Sequence, residues 1–291
     1  MGMNSHDFDQ ARRFAVTPMG RIAYVECGAG PAALFLHGFP LNGFHWRGTL
    51  DDLSGIRRCI ALDLMGLGHS EVAADQSLTF EDQARMVAAF LDKLEIEQAD
   101  LVGNDTGGGV SQLVAAHFPS RVRTLTLTNC EVHDLWPNAT LRALFDSLGA
   151  EGAMAGLKAL VQNPAMARRA FATAYENVEQ IPAEAFRVYL EPVLSTDERA
   201  LNVQRFVRAA QIDRDQMVAA APMLRQLRAP AQVIWGDADT FFDVEPSLNW
   251  LKANVPSIKK VIAVPRARLF FPEEHPRLIS VLLREFWNSA L

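Results

Sequence analysis

The sequence predicts an α/β fold in which a mostly parallel, twisted sheet of about eight strands is flanked by helices and carries an inserted helical cap domain. Two observations support this prediction. Short, continuously apolar segments end at glycines, which is typical of strands buried in a parallel sheet. From residue 131 to residue 230 that pattern stops, and amphipathic segments separated by prolines replace it.

The chain opens with strands predicted at 14–17 and 21–27, and the proline and glycine between them predict a hairpin turn at 18–20. Two buried strands follow at 32–36 and 58–64. Each runs into a loop that contains glycine, His-Gly-Phe-Pro after the first and Met-Gly-Leu-Gly-His-Ser after the second. We expect both loops at the same edge of the sheet.

The next segment has the strand–helix–strand order of a parallel sheet. Residues 79–94 show helical periodicity, and Thr79 with Asp82 resembles a capping box in which Asp replaces the usual Glu. A strand at 99–103, a helix at 107–117 and a strand at 122–129 come next. At this spacing the two strands are expected to pair in parallel through the helix.

The remaining elements divide the chain into a core and an insertion. Amphipathic helices are predicted at 139–148, 154–161, 165–175 and 202–210, strands at 231–235 and 261–264, and a closing helix at 276–290. The predicted core domain therefore comprises residues 1–130 and 231–291. Residues 131–230 form the predicted helical cap domain.

Composition narrows the class of protein. The net charge of −6 gives no electrostatic attraction for nucleic acid or an anionic membrane. No apolar run is long enough to span a bilayer, the polar N-terminus lacks a signal sequence, and the three cysteines have no metal-site spacing. We expect a cytoplasmic protein with a small-molecule substrate and without a cofactor, a metal, a nucleic-acid partner or a membrane partner; a homodimer stays open.

Residues 103–107, Gly-Asn-Asp-Thr-Gly, fit the pattern of a nucleophile elbow between a strand and a helix. The glycines permit a sharp turn that places Asp105 at the top of the sheet. The N–H of Thr106 is expected to face the same space, where it suits a developing oxyanion. Phe39, after an earlier strand, is positioned to supply a second N–H donor. The alternative is a plain glycine-rich turn in which Asp105 only caps the helix.

The motifs along the chain occur in a recognisable order. They are His-Gly-Phe-Pro at 37–40, Asp-x-x-Gly-x-Gly-x-Ser at 63–70, the elbow at 103–107 and Trp-Gly-Asp-Ala-Asp at 235–239. In these motifs and in the position of the helical insertion, the chain resembles the α/β-hydrolase fold superfamily. The resemblance implies that Asp239 is the acid of a catalytic triad.

An aspartate at the elbow changes the expected chemistry. A carboxylate that attacks an ester carbonyl forms an anhydride, whereas displacement at a saturated carbon forms an alkyl–enzyme ester that water can cleave. Epoxides and carbon–halogen bonds are the natural electrophiles. Asp105 therefore makes the chain similar to the epoxide hydrolase and haloalkane dehalogenase branch of that superfamily.

Residues around the nucleophile favour an epoxide within that branch. Similar haloalkane dehalogenases carry a Trp directly after the nucleophile to hold halide, and fluoroacetate dehalogenases carry an Arg; here the residue is Thr106. Epoxide hydrolases protonate the opening oxygen with two cap tyrosines, which Tyr175 and Tyr189 match unless both pack with their hydroxyls at the surface. The candidate substrate-binding residues are His37, His133, Trp136, Tyr175 and Tyr189.

The triad histidine is not where the resemblance places it. A gapless alignment of the loop after the last strand puts Leu269 at the expected position, and His275 follows at the start of the closing helix. Three alternatives remain. The loop is remodelled so that His275 completes a triad with Asp105 and Asp239; His133 or His45 substitutes; or the protein has no general-base histidine.

These observations support two main hypotheses of function. The first is a hydrolase that uses Asp105 on a small apolar electrophile, an epoxide, through an alkyl–enzyme ester, with dehalogenase-like activity as an alternative. The second is a small-molecule binder that keeps the fold and has lost turnover, for which Leu269 is the supporting feature. Lyase-type chemistry at the oxyanion hole is a further alternative.

Overall fold

The computed structural model describes residues 3–150 and 152–290. Within these ranges eight strands form one sheet in the order β1-β2-β4-β3-β5-β6-β7-β8, which confirms the predicted α/β class. The strands are β1 (Arg12–Thr17), β2 (Gly20–Cys27), β3 (Ala32–Leu36), β4 (Arg58–Leu62), β5 (Ala99–Asn104), β6 (Val122–Thr128), β7 (Ala231–Gly236) and β8 (Ile258–Val264).

Helices cover both faces of the sheet and fill the insertion between β6 and β7. They are α1 (Ser5–Gln10), α2 (Arg47–Leu53), α3 (Phe80–Lys93), α4 (Thr106–His117), α5 (Ala139–Gly149), α6 (Ala153–Gln162), α7 (Pro164–Phe171), α8 (Ala183–Leu194), α9 (Asp197–Leu224), α10 (Val244–Asn254), α11 (Phe271–Glu274) and α12 (Pro276–Ser289). In the ranges that the structure describes, no helix is both long and apolar enough to cross a membrane.

The direction of the strands determines where a site can form. β2 pairs antiparallel with β1 and β4, and the other neighbouring strands pair in parallel. Gly103, near the end of β5, pairs with Leu36 of β3 on one side and with Leu127 of β6 on the other. The loops after β3, β5 and β6 therefore meet at one edge, where ligands bind in open α/β sheets.

Alternate residues of the central strands supply two separate hydrophobic cores. In β3, Leu34 and Leu36 pack on the side of α3 and α4, whereas Phe35 faces the opposite side. There its ring lies 5.4 Å from that of Trp46, in a cluster that also includes Trp287 of α12. Burial on both faces explains why the strand is continuously apolar.

The start of α3 departs from an ordinary capping box. The Thr79 hydroxyl oxygen accepts the N–H of Asp82 at 3.4 Å, as the sequence predicts. The Asp82 carboxylate accepts a hydrogen bond from the Thr79 hydroxyl at 2.8 Å. Asp is shorter than the Glu of an ordinary capping box, and here it bonds to the hydroxyl of the cap residue instead of to its backbone N–H. Asp213 of α9 reaches the same turn and accepts the N–H of Phe80 at 2.8 Å. A cap helix is thus joined to the core.

Three element predictions need correction. The helix predicted at 165–175 is α7, which ends at Phe171. β8 begins at residue 258 rather than 261, because Lys259 and Lys260 are exposed on this edge strand and obscure its apolar pattern. The helix predicted at 202–210 is part of α9, which runs from Asp197 to Leu224 and includes Pro222. A proline usually ends a helix, but α9 continues past Pro222 while it packs against α4.

The two-core arrangement predicts unequal costs for truncating phenylalanines. Phe35→Ala should lower the free energy of unfolding by about 3–5 kcal/mol, because Phe35 is fully buried and its removal leaves a cavity. Phe14→Ala, at a side chain 37% exposed, should cost less than about 1 kcal/mol. Urea denaturation of both variants tests this, and equal losses would contradict it.

Candidate active site

The chain turns sharply between β5 and α4, and Asp105 is the residue at the bend. Its φ of 52° and ψ of −132° lie outside the helical and strand regions. A Cβ atom at residue 103 would overlap the carbonyl of Gly107, and one at residue 107 would overlap the carbonyl of Leu36. The two glycines are therefore required for this turn, which has the geometry expected of the elbow.

Two backbone N–H groups converge on the carboxylate of Asp105. The N–H of Phe39 donates to Oδ2 at 2.8 Å, and the N–H of Thr106 is near enough to the carboxylate to favour its charged form. Burial raises the pKa of Asp105 well above its ordinary value, and the nearby Glu131 raises it further, while the two N–H groups oppose that rise. The predicted oxyanion donors therefore face the predicted nucleophile.

A cavity of about 150 Å³ lies above Asp105, between the sheet edge and the cap helices. Its aromatic lining residues are Phe39, Phe80, Trp136, Phe145, Phe171, Phe206, Phe241 and Phe270. Its carboxyl-bearing lining residues are Asp105, Glu131 and Asp213, and no histidine, lysine or arginine lines it in the part of the chain that the structure describes. We call this cavity the chamber.

Glu131 is a chamber residue to which the sequence assigned no role. It follows β6 closely, is 4% exposed, and its Oε1 accepts the Thr106 hydroxyl at 3.4 Å. Its Oε2 is buried without a hydrogen-bond partner. Burial raises the pKa of Glu131 to about 8. Its position after a strand that neighbours the elbow was the available sequence signal.

Asp213 is the third chamber carboxyl, and the sequence did not single it out either. It is 1% exposed, and burial raises its pKa to about 8 even though the Phe80 N–H bonds to it. It lies in the middle of α9, and it meets Phe80 across a sequence separation of 133 residues. Only the docking of the cap brings it to the chamber.

Asp239 follows β7, as expected, and other groups hold its carboxylate. The amide of Asn129 donates to Oδ2 at 2.7 Å, and the N–H of Phe241 donates to Oδ1 at 2.8 Å. Burial raises the pKa of Asp239 to about 6, with these bonds opposing the rise. No histidine bonds to it in the described ranges, so the geometry of a catalytic triad is not formed.

Leu269 lines the chamber at the position where the alignment expects a histidine. Its side chain is 3% exposed, and its carbonyl accepts the amide of Asn104 at 2.9 Å. Asn104 directly precedes Asp105, so this bond fixes the loop after β8 against the elbow. An aliphatic side chain is therefore held beside the nucleophile.

The structure does not bring His275 into the chamber, which corrects its expected placement. Its Nε2 lies 3.4 Å from the Glu176 carboxylate, and its side chain is 37% exposed. The physical reason is local: residue 275 joins α11 to α12, and α11 separates it from Leu269. His275 therefore has the position of a half-exposed histidine beside a carboxylate, away from Asp105.

The two substitute histidines also lie outside the chamber. His133 has its Nδ1 2.7 Å from the Asp134 carboxylate and stacks on Trp250 at 4.7 Å, so it is not placed for the predicted substrate contact. His45 is fully buried, and burial lowers its pKa to about 3. Its Nδ1 lies 3.9 Å from a carboxylate oxygen of Glu273, and neither of its ring nitrogens has a hydrogen-bond partner.

Both cap tyrosines face away from the chamber, which corrects their predicted contact with substrate. Tyr175 donates its hydroxyl to Oε2 of Glu273 at 2.6 Å, and Tyr189 donates to Oε1 at 2.6 Å. Arg47 donates to Oε1 at 2.5 Å. Burial alone would raise the pKa of Glu273, but Arg47 and the bonded neighbours hold it below its ordinary value. The alternative of hydroxyls at the surface is also wrong, because both tyrosines are buried.

His37 is likewise placed by backbone bonds rather than beside a substrate. Its Nδ1 bonds to the Gly38 carbonyl at 2.9 Å, and its Nε2 accepts the N–H of Leu64 at 3.0 Å. It therefore joins the loops after β3 and β4. Trp136 alone among the predicted substrate-binding residues lines the chamber, where its ring stacks 5.6 Å from that of Phe80.

Comparison with known protein sequences identifies the family of this chain. A family model described as alpha/beta hydrolase fold matches residues 31–276. Haloalkane dehalogenase 2 of Mycobacterium tuberculosis is 28% identical over 284 residues, which is 92% of each chain. Bifunctional epoxide hydrolase 2 of Sus scrofa is 32% identical over 127 residues, which is 43% of this chain and 23% of that protein.

Solved structures have the same architecture. An ancestral haloalkane dehalogenase superposes with a TM-score of 0.78 at 24% identity, over 96% of this chain and 99% of that one. The epoxide hydrolase CorEH superposes with a TM-score of 0.80 at 21% identity, over 96% and 98%. These likenesses establish the fold.

The buried carboxyl of Glu131 predicts how stability depends on pH. A carboxyl whose pKa rises from 4.5 to about 8 on folding destabilises the fold as the pH climbs between those values. Glu131→Gln should remove that loss. The free energy of unfolding of Glu131→Gln minus that of wild type should therefore increase by on the order of 3 kcal/mol between about pH 5 and about pH 9.

Urea titrations at the two pH values measure this difference. The control is Glu97→Gln at an exposed position, whose difference from wild type should not change with pH. A pH-independent difference for Glu131→Gln would show that this carboxyl is ionised in the folded protein at neutral pH.

Proposed function

Because this chain belongs to the alpha/beta hydrolase fold family, we propose that it is a hydrolase in which Asp105 attacks a small apolar electrophile. The substrate class is an epoxide, and the intermediate is an alkyl–enzyme ester. The observation that carries the proposal is the Asp105 carboxylate at a strained elbow beneath an apolar chamber.

The backbone around Asp105 suits both halves of such a reaction. In the first half, one carboxylate oxygen bonds to the substrate carbon. In the second half, water adds to the ester carbonyl, and the N–H groups of Phe39 and Thr106 stabilise the oxyanion that forms. These donors lie in the loop after β3 and at the first residue of α4, which the sheet holds at one edge, so little reorganisation is needed.

The chamber lining supports an apolar substrate of modest size. Aromatic and aliphatic side chains form most of its wall, and a volume of about 150 Å³ suits a small organic molecule. Excluding water strengthens the electrostatic interactions within the chamber and protects the ester from uncontrolled hydrolysis. A charged substrate is disfavoured because no lysine, arginine or histidine lines the chamber in the described ranges.

The leaving group distinguishes an epoxide from a haloalkane. A halide ion needs N–H donors in an apolar site, and residue 106 is Thr, whose side chain carries no N–H. Among the described lining residues, Trp136 carries a buried indole N–H without a hydrogen-bond partner, so one donor is present and the second is missing. The oxygen of an epoxide stays attached to the substrate and needs a proton. Relatives named as epoxide hydrolase and as haloalkane dehalogenase are both consistent with a carboxylate nucleophile.

Leu269 favours a second candidate function, that of a protein that binds a small molecule without turnover. With an aliphatic side chain at this position and no histidine in the described lining, the protein could bind a small apolar molecule without turnover. Such a binder would keep its affinity when Asp105 is neutralised, whereas the hydrolase would lose covalent chemistry.

Incubation with styrene oxide tests the proposed nucleophile. Wild type should form the diol or an adduct on Asp105, located by intact-mass and peptide spectra. Asp105→Asn should reduce both by at least about 100-fold, because a neutral amide is a poor nucleophile. Asp75→Asn, at an exposed position, is the control and should react like wild type.

Two other outcomes would contradict the hydrolase. The absence of both diol and adduct with styrene oxide and with a panel of bromoalkanes would contradict any covalent role for Asp105. Unchanged binding of the same molecules by Asp105→Asn would then support the binder.

A further inference from the structure

Glu131 is a chamber carboxyl for which the proposed attack of Asp105 has no use. We propose that Glu131 is the acid and base of the reaction: it protonates the opening epoxide oxygen and then activates the water that cleaves the ester. This inference rests on the proposed function of Asp105. It assigns to one carboxyl both the role of general base, which was expected of a histidine, and the role of proton donor, which was expected of Tyr175 and Tyr189.

The surroundings of Glu131 place its carboxyl in the chamber, beside the residue that follows the nucleophile. Its Oε1 is tied to the hydroxyl of Thr106, the residue next to the nucleophile, and its Oε2 is buried without a hydrogen-bond partner. A Cβ atom at residue 109 would lie 3.1 Å from that Oε2, so Gly109 of α4 leaves room for the carboxyl. A buried polar atom without a partner is costly, and a substrate oxygen or a water would satisfy it.

Burial raises the pKa of both Asp105 and Glu131, and the groups around them assign the proton of the pair to Glu131. The Asp105 carboxylate accepts the Phe39 N–H at 2.8 Å, the Thr106 N–H also favours its charged form, and it lies at the N-terminus of α4. Glu131 accepts the Thr106 hydroxyl at 3.4 Å, and only its own N–H favours its charged form further. Burial raises its pKa to about 8, so it carries the proton at neutral pH. The pair then holds one anion and one acid, as a nucleophile and a proton donor must.

In the first half-reaction, an oxygen of Asp105 forms a bond to an epoxide carbon while the carbon–oxygen bond of the ring breaks. The electron pair of that bond goes to the epoxide oxygen, which takes the proton of Glu131. The products are a hydroxyalkyl ester on Asp105 and the carboxylate of Glu131.

In the second half-reaction, the Glu131 carboxylate takes a proton from water, and the hydroxide adds to the ester carbonyl carbon of Asp105. The tetrahedral intermediate then expels the alkoxide, which takes the proton of the new hydroxyl group. The diol leaves, Asp105 is again a carboxylate, and Glu131 is again protonated. The sum is epoxide plus water giving diol.

Substrates with different leaving groups separate the two roles of Glu131. Rapid-quench mass spectra would follow alkylation of Asp105 by styrene oxide and by 1-bromobutane. Glu131→Gln should slow alkylation by the epoxide about 100-fold, and alkylation by the bromoalkane less than about threefold, because bromide leaves without a proton. The ester formed from styrene oxide should then accumulate, since the base that opening of the epoxide would have generated is missing.

The unmodified protein tests the same point through its pH profile. Alkylation by styrene oxide should fall as the pH rises through about 8, where burial places the pKa of Glu131 and also that of the neighbouring chamber carboxyl Asp213. Alkylation by 1-bromobutane should not fall there. Identical profiles for the two reagents would overturn the acid role, even if Glu131→Gln failed to fold.

Two further variants serve as controls. Glu131→Asp keeps an acid in the chamber and should recover part of the epoxide rate that Glu131→Gln loses. Tyr175→Phe removes a buried hydroxyl outside the chamber and should open the epoxide at the wild-type rate. Slow opening by Tyr175→Phe would instead return the acid role to the tyrosines.

The failures of the two proposals can be told apart. If wild type labels Asp105 and Glu131→Gln turns over styrene oxide at the wild-type rate, the role of Glu131 is wrong and the nucleophile stands. If wild type reacts with neither reagent, the nucleophile is wrong and the role of Glu131 falls with it.

Discussion

The site depends on the close approach of two backbone turns, recorded by the 2.8 Å bond from the Phe39 N–H to Asp105. A Cβ atom at residue 38 would lie 2.5 Å from Oδ2 of Asp105, so the loop after β3 comes this near only because residue 38 is glycine. Gly103 and Gly107 permit the elbow itself. These glycines determine the position of the carboxylate, and the strands β3 and β5, which pair through Leu36 and Gly103, hold the two turns in place.

Electrostatics in the chamber follow from the absence of a cation among its described lining residues. The chamber brings together three buried carboxyls, and desolvation disfavours charge on all of them. N–H groups oppose this effect, because they stabilise a carboxylate at little cost in reorganisation. Asp105 faces the N–H groups of Phe39 and Thr106, Asp213 accepts the N–H of Phe80, and Glu131 accepts the Thr106 hydroxyl beside its own N–H. We infer from this difference that negative charge is most stable at the elbow, with the proton on Glu131.

A second buried cluster, around Glu273, explains why the tyrosines do not reach the chamber. Arg47 neutralises the Glu273 carboxylate, and the hydroxyls of Tyr175 and Tyr189 complete its hydrogen bonding. Breaking that cluster would leave an uncompensated charge in the interior, which is strongly destabilising. The neutral, unbonded ring of His45 lies at its edge. The chemistry of the chamber is therefore restricted to the groups that line it, and the titratable ones among the described lining residues are carboxyls.

The sequence alone was sufficient for the α/β class, the strand order along the chain and the sharp turn at Asp105, because these depend on local patterns of apolar residues and glycines. The roles of Asp105, Phe39 and Thr106 in catalysis stay predictions. The sequence also identified Leu269 as a departure at the histidine position. It did not predict Glu131 or Asp213 as chamber residues, and it directed His275, Tyr175 and Tyr189 to the wrong place. Those positions depend on how the cap docks on the sheet and on which partner satisfies each buried polar group. Such choices are made between residues far apart in the chain, as in the bond from Phe80 to Asp213 across 133 positions, and only the tertiary structure decides them.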